Sequence, residues 1–348
     1  MIKRLFAVAA VSAAVAGIGW AATDPGWRDV LDTPAIASPL AQRGLLLGLA
    51  RAGDTVVAVG QRGHALVSSD AGGHWQQAAV PVSSDLVAVS FPTPQAGWAV
   101  GHDGVVLHTA DGGKTWTRQL DGRALGEVLV SYYKAAGDDK WRGEAERFAA
   151  QGPENPFLDV WFRDANNGYI VGAFGLILKT ADGGAHWEPL MHLTDNPKAL
   201  HLYAVRGIGS DVYVVGEQGT ALKLDAASGR FKALELPYKG SLFGVVGREG
   251  AVVVHGLRGT VLRSTDGGAS WQTVNTGLAV GLTANTLDER GRIVIVSQAG
   301  HVIVSADNGA SFTPVKVERP QPAAAVVAAN PATLVLAGPR GVQTVALP

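Results

Sequence analysis

The residues that could do chemistry recur in an eight-residue motif, Ser/Thr-x-Asp-x-Gly-x-x-Trp/Phe, whose clearest copy runs from Thr109 to Trp116. Its Asp can accept turn N–H groups, its glycine supplies positive φ and its hydroxyl can bond locally. The Asp and aromatic positions of the five copies are Asp70 and Trp75, Asp111 and Trp116, Asp182 and Trp187, Asp266 and Trp271, and Asp307 and Phe312. Calcium loops need several converging oxygen ligands, and each copy has one Asp. The motif is therefore interpreted as a structural hairpin corner.

The nine histidines form neither a His-x-x-x-His pair nor a His-Glu-x-x-His run. These are the spacings that a helical zinc site would show. The sequence therefore predicts no metal, no cofactor and no catalytic residues.

A second marker, two glycines three residues apart, sets the period of the chain and precedes the Asp motifs, with Ser297 in place of the first glycine before Gly300. The second glycines are 40 to 44 residues apart, with one step of 71. A period near 40 residues with about four short strands per unit is the signature of a propeller. Seven markers therefore predict an all-β, seven-bladed β-propeller of four-stranded antiparallel blades. Their second glycines are Gly63, Gly104, Gly175, Gly219, Gly259, Gly300 and Gly341.

The seventh unit ends after its third strand, so ring closure needs a strand from elsewhere. Residues 27–34 resemble the strand that follows the first Asp motif, which runs from Trp75 to Pro81. We therefore expect residues 26–36 to be the outermost strand of the last blade.

The step of 71 residues marks an insertion at about residues 120–156, between the second and third units. Apolar residues at helical spacing predict one helix from Arg123, a break at 137–139, and a second helix over 141–150. One interpretation is a helical flap that packs on the propeller. The other is a partner-binding element that displays Tyr132, Tyr133 and Trp141.

The order of the strands places the insertion and the glycine turns on one face, and the Asp motifs on the other. We name these the glycine-turn face and the Asp-box face. Three glycine turns carry Arg62, Arg258 and Arg340 at one equivalent position. Arginine suits carboxylate and peptide recognition, so these residues are candidates for partner binding, with solvated rim charges as the alternative.

The bulk composition restricts compartment and partners. A net charge of -1 argues against nucleic acid, which needs a basic face. Residues 1–22 have a basic start and a short apolar run, which predicts a signal peptide followed by one propeller domain over 23–348. The protein is expected to be periplasmic or secreted, monomeric on its own, and without a membrane span after cleavage. The absence of cysteine leaves no disulfide or lipid attachment site.

The Asp motif resembles the Asp box, or bacterial neuraminidase repeat. The longer pattern from Val100 to Trp116, repeated from Val171 to Trp187, resembles the photosystem II stability/assembly factor family. That resemblance implies an exported, non-enzymatic propeller that helps a membrane protein complex to assemble. It also implies, for non-photosynthetic relatives, an accessory role for exporters of the resistance-nodulation-division type. Nothing in the sequence indicates photosynthesis.

Two other functions stay open at this point. A sialidase-like glycoside hydrolase needs an arginine triad, a Tyr/Glu pair and an Asp acid, and the sequence assigns no such triad. A passive carbohydrate- or peptide-binding module needs none of these groups.

Overall fold

The strands form seven sheets in chain order. The computed structural model describes residue 26 and residues 28–348, so the predicted signal peptide lies outside the described residues. Six sheets have four strands and one has three, and the strands within each sheet are antiparallel neighbours in sequence. The predicted all-β, propeller-like class is confirmed.

The strand bounds repeat closely from sheet to sheet. The first three sheets contain β1 (Leu46–Ala52), β2 (Thr55–Gly60), β3 (Ala65–Ser68) and β4 (Gln76–Gln77); β5 (Leu86–Ser90), β6 (Gly97–Gly101), β7 (Val106–Thr109) and β8 (Thr117–Leu120); and β9 (Phe157–Phe162), β10 (Gly168–Gly172), β11 (Ile177–Thr180) and β12 (Glu188–Pro189). The next two contain β13 (Leu202–Ile208), β14 (Asp211–Gly216), β15 (Ala221–Asp225) and β16 (Arg230–Ala233); and β17 (Leu242–Arg248), β18 (Ala251–Gly256), β19 (Val261–Ser264) and β20 (Gln272–Thr273). The last two contain β21 (Leu282–Leu287), β22 (Ile293–Ser297), β23 (Val302–Ser305) and β24 (Thr313–Val315); and β25 (Ala325–Asn330), β26 (Thr333–Gly338) and β27 (Gly341–Ala346).

The second strand of each sheet is buried on both of its faces. β2 and β22 are continuous Val, Ile and Ala runs whose central residues are fully buried. A strand covered on both faces has no polar side, so its sequence does not alternate. The core therefore consists of the interfaces between neighbouring sheets. The first strands of all seven sheets line a central channel that contains a cavity of about 320 Å³.

The glycine turns need glycine at two positions for different reasons. A Cβ on Gly60 would lie 2.2 Å from the Leu45 carbonyl oxygen, which is too close for any side chain. Gly63 has a φ of 70°, in the left-handed region that favours glycine. The spacing of the pair is thus set by the turn between the second and third strands.

The insertion forms two helices, as predicted. These are α1 (Gly122–Ala136) and α2 (Asp139–Gln151). The Asp121 carboxylate accepts the N–H groups of Arg123 and Ala124 at the start of α1, and Gly137, with a φ of 68°, ends the helix. The beginning of α1 lies against the glycine turn of the second sheet, where a Cβ on Gly104 would be 2.7 Å from Gly122 Cα. The insertion is therefore on the glycine-turn face.

The prediction that residues 26–36 close the ring as a strand of the last blade is wrong. The last sheet contains only β25 to β27 among the described residues, and Val30–Asp32 is a 3-10 turn. The Asp29 carboxylate accepts the Leu31 N–H at 2.9 Å, and the Thr33 hydroxyl donates to the Asp29 carbonyl at 2.8 Å. Such local bonds offer the backbone an alternative to strand pairing. Residue 27 lies outside the described residues.

The N-terminal segment instead packs against the first two sheets. Leu31 is 1% exposed and packs in a cluster with Val82 and Trp116. Its carbonyl accepts a hydrogen bond from Arg118 Nη1 at 2.6 Å. Arg123 of α1 forms ion pairs with Asp29 at 2.8 Å and with Asp32 at 3.0 Å. The segment thus links the first sheet, the second sheet and the insertion. We name residues 28–36 the N-terminal clasp.

The first and last sheets meet through side-chain packing. Val56 of β2 packs with Val327, Ala329 and Val335 of the last sheet. No hydrogen bond joins these two sheets among the described residues, whereas the first and second sheets exchange backbone bonds between Ala79 and the Lys114–Trp116 turn. We name this junction the seam.

Candidate functional site

The Asp boxes are hydrogen-bonded corners whose carboxylates accept donors from their own turns. Asp111 Oδ1 accepts the Thr109 hydroxyl at 2.8 Å and the N–H groups of Lys114 and Thr115 at 3.0 Å. The Trp116 indole donates to the Gly113 carbonyl at 3.0 Å. The other four boxes repeat the bond from the Ser or Thr hydroxyl to the Asp carboxylate.

These bonds hold the box carboxylates in the ionised form. Hydrogen bonds from the Ser270 hydroxyl and N–H lower the pKa of Asp266 to about 2, and those from Ser311 do the same for Asp307. A general acid needs the opposite shift, towards neutral pH. The geometry therefore favours the structural interpretation of the boxes.

The fourth unit lacks the motif spacing: its residues 224–231 keep an Asp, a Gly and an aromatic ring at other intervals, which predicts a different turn. Asp225 Oδ1 accepts the Ala227 N–H at 3.0 Å, and its carboxylate pairs with Lys232. Phe231 is fully buried in the position of the box aromatic ring.

The three turn arginines are exposed on the glycine-turn face. Arg62 and Arg258 have φ values of 55° and 57°, and the Arg62 backbone N–H donates to Asp85 Oδ1 at 2.7 Å. Among the described residues, the guanidinium groups of Arg62, Arg258 and Arg340 form no ion pair within 4.0 Å. The equivalent turn positions of other sheets carry Asp103, Phe174 and Gln218, also at positive φ. The arginines are thus interrupted by other side chains around the ring.

Phe174 shares the positive φ of these turn residues but differs from them in its side chain. Its φ is 53°, the residue is 62% exposed, and it is the one Phe, Tyr or Trp of the described chain with so much of its area in solvent. The left-handed region costs a non-glycine residue roughly 1–2 kcal/mol. Its N–H donates to His201 Nδ1 at 2.9 Å, and the two rings meet edge to face. The turn therefore holds an exposed apolar ring in a strained position.

The insertion aromatics mostly pack inward. Tyr133 is 1% exposed, and burial raises its pKa. It therefore belongs to the core and is not displayed to a partner. Tyr132 is half-buried and donates to Glu188 Oε1 at 3.3 Å. Trp141 is half-buried and stacks on Tyr133 at 5.8 Å between ring centroids.

A groove of about 810 Å³ lies between the insertion and the third and fourth sheets. We name it the insertion groove. Tyr133, Trp141 and Phe148 form its helical wall, and Phe174 and Met191 lie on the opposite side. Its charged lining residues are Lys140, Glu144, Arg147, Asp195 and Arg230. Of the six residues predicted to bind a partner, the structure brings Tyr133 and Trp141 together here and leaves the three arginines elsewhere on the face.

The sequence interpretation missed Phe174, Met191 and Lys140. Alignment of the glycine turns could have found Phe174, because a bulky apolar residue stands where five of the other six turns have polar or charged residues and the sixth has Ala299. Met191 and Lys140 carry no such signal, since they meet the groove only through the packing of α2 over the third sheet.

Among the described residues, the lining of the central channel contains no Asp or Glu, whereas glycoside hydrolysis generally uses a pair of them. Its Arg206 pairs with the buried Asp159 of the neighbouring first strand, and its Arg51 pairs with Glu289 at 2.5 Å. Across residues 28–348 no cluster of three His, Asp or Glu side chains is suited to a metal ion. Neither described helix has the length and apolar character to cross a membrane.

Comparison with known proteins identifies the family. A family model described as photosynthesis system II assembly factor YCF48 matches residues 50–144 and 146–316. The photosystem II assembly lipoprotein Ycf48 of Synechococcus sp. (strain CC9902) is 27% identical over 159 residues, which cover 44% of this chain and 47% of that protein. The chloroplastic photosystem II stability/assembly factor HCF136 of Cyanidioschyzon merolae is 28% identical over 182 residues, which cover 46% and 40%. The chain thus spans about half the length of these curated relatives.

Solved structures share the fold at low sequence identity. A structure described as YCF48 bound to D1 peptide has a TM-score of 0.65 and 16% identity, and the match covers 90% of this chain and 96% of that one. The GH74 enzyme of Niastella koreensis has a TM-score of 0.61 and 14% identity, with 86% and 52% coverage. Because the family model spans most of the repeats, the chain belongs to the photosynthesis system II assembly factor YCF48 family.

Proposed function

We propose that this chain is a non-enzymatic, exported scaffold, built as a ring of seven blades, that helps a membrane protein complex to assemble or stay stable. It acts by binding a polypeptide segment of that complex on the glycine-turn face. The observation that carries the proposal is that the insertion groove and the exposed arginines lie on this one face. On the other face, the Asp-box carboxylates form hydrogen bonds within their own turns.

The relatives support the same class of function. Their names describe photosystem II assembly, and one structural neighbour is a YCF48 protein with a D1 peptide. For this chain the partner belongs to the proposal. Candidates are a photosynthetic complex or an exporter of the resistance-nodulation-division type, and the compartment is the periplasm or the cell exterior.

The test is recovery of membrane partners by the tagged full-length protein from detergent-solubilised membranes, identified by mass spectrometry. The first test variant is Arg62→Glu/Arg258→Glu, and the second replaces residues 123–151 by a short Gly/Ser linker. Each variant removes part of the proposed surface, so we expect each to reduce the amount of recovered partner at least fivefold. The matched control is Lys114→Glu/Arg290→Glu, which makes the same charge change on the Asp-box face and is expected to recover the wild-type amount.

Unchanged recovery by both test variants would show that the glycine-turn face is not the binding surface. The fold is also compatible with a glycoside hydrolase, as the GH74 neighbour illustrates, but the paired charges of the channel do not favour it. The non-enzymatic proposal would be overturned if the protein hydrolysed fluorogenic sialosides or glycosides and substitution of a single carboxylate residue abolished that activity.

A further inference from the structure

We infer that the insertion groove is a binding site for an extended peptide segment that presents one large apolar side chain beside a carboxylate. This inference rests on the proposed function and names the chemistry of the segment that is bound.

The walls of the groove fit an apolar side chain. Trp141 and Phe148 are half-buried on the helical side, and the exposed ring of Phe174 faces the same space from its turn. A ring with this exposure contributes little to the core of the free protein. The positive φ is common to the glycine turns, so the feature that distinguishes Phe174 is its exposed apolar ring. Aromatic side chains are typical anchors of interfaces.

The charges of the groove leave one cation without a partner. Arg147 pairs with Glu144, and Arg230 pairs with Asp195 at 3.3 Å. Lys140 has no carboxylate within 4.0 Å among the described residues, and its Nζ lies 5.8 Å from the centroid of the Trp141 ring. A ligand that places an apolar group on Trp141 therefore places its neighbouring group beside an unpaired ammonium. A carboxylate complements that charge.

Asn155, which lines the groove, offers an amide oxygen as an acceptor for a peptide N–H. Asn155 is 5% exposed, and its Nδ2 donates to Gln151 Oε1 at 3.3 Å. Within the described chain no donor reaches its Oδ1. Asn196, by contrast, uses both ends of its amide on Leu200. A site with mainly apolar walls and a few fixed polar groups suits a peptide, whereas a glycan would need many hydroxyl partners.

The probe is a library of random linear twelve-residue peptides displayed on phage and selected on the full-length protein. We expect enriched sequences that place Phe, Trp, Leu or Met next to Asp or Glu. The enriched peptide, labelled with fluorescein, is then titrated by fluorescence anisotropy. Replacement of its acidic residue by Lys is expected to weaken binding at least tenfold.

Two variants test the residues that carry the inference. Phe174→Gly removes the ring and relieves the positive φ, so we expect binding to weaken at least tenfold while the melting temperature stays equal or rises. Lys140→Glu should weaken binding of the acidic peptide and strengthen binding of its Lys version. The matched control is Lys134→Glu, on an exposed position of α1 outside the groove, which is expected to bind as wild type.

Several outcomes would overturn the inference. These are no enrichment, enrichment without the apolar–acidic pair, unchanged binding by Phe174→Gly, or binding of a glycan array in place of peptides. A different result is that the arginine variant loses partner recovery from membranes while Phe174→Gly and Lys140→Glu recover the normal amount. That result would reject the groove as the binding site and leave the proposed function standing. If neither set of variants loses partner recovery, the proposed function itself is rejected.

Discussion

His255 is an imidazole held neutral in the core between the fifth and sixth sheets. It is fully buried, its Nδ1 lies 3.1 Å from the Leu282 carbonyl oxygen, and its Nε2 lies 2.8 Å from Asn285 Nδ2. The carbonyl accepts only from Nδ1–H, so Nε2 is the acceptor for the amide. Burial lowers the pKa of His255 to about 4, because the charged form would lose its hydration.

This shift predicts a pH dependence of stability. The folded-state pKa lies below the unfolded value near 6.5, so the folded protein binds fewer protons between these values, and stability is lost as pH falls from about 6.5 to 4. We expect His255→Gln to reduce that loss by up to about 3 kcal/mol, measured by urea unfolding at pH 7 and pH 4.5. The exposed His102→Gln is the control, and a pH dependence that matched wild type in both variants would contradict the assignment.

Single residues also mark what the sequence could and could not predict. The role of Asp111 is local, because every group that it binds lies within four residues. The eight-residue motif alone was therefore sufficient to predict that role. The burial of Tyr133 depends on Trp141 and on His192, whose Nδ1 lies 3.3 Å from the Tyr133 hydroxyl. His192 is on a loop 59 residues away, and helical spacing carries no information about such a contact.

At the scale of elements, the insertion was predictable and the N-terminal clasp was not. The apolar spacing of α1, together with Asp121 and Gly137 at its ends, encodes a helix locally. The clasp resembles a strand in sequence, yet the bonds of Asp29 to Leu31 and Thr33 turn the chain, and its backbone bonds go to Val80 and Ser83 rather than to the last sheet. Resemblance to a repeat strand is thus outweighed by capping chemistry within five residues.

The clasp predicts a contrast between two neighbouring residues. Leu31 is buried against the first two sheets, whereas Val30 is 40% exposed. We expect Leu31→Ala to lower the free energy of unfolding by about 2–5 kcal/mol, as for other buried leucines, and Val30→Ala to change it by less than about 0.5 kcal/mol. Urea denaturation of both variants measures the difference. Equal effects would mean that the clasp does not contribute to the core in solution.

At the scale of the whole molecule, the seam is where the ring depends on packing alone. β27 pairs with β26 on one side, and no strand of the described chain pairs with its other edge. The equivalent third strand of the sixth sheet, β23, is bonded on both sides. The free energy of local opening varies across a structure with the number of local contacts. We therefore expect β27 to have one of the lowest opening free energies among the strands.

Hydrogen exchange measured by mass spectrometry tests this difference. We expect the amides of Gly341–Ala346 to exchange at least tenfold faster than those of Val302–Ser305, because the outer edge of β27 lacks a neighbouring strand. Equal protection of the two segments would show that the unpaired edge of β27 does not weaken the last sheet. Peptides from β3 (Ala65–Ser68), also paired on both sides, serve as the internal control.

Because each sheet is built from one continuous stretch of sequence, every sheet is a local module, and the last one has three strands. In a ring closed by a shared strand, one module would be split between the two ends of the chain. Here the first and last sheets meet through side chains, so among the described residues no module is split in this way. The same modularity left the linker between the second and third sheets free to accept α1 and α2 without disturbing any strand pairing.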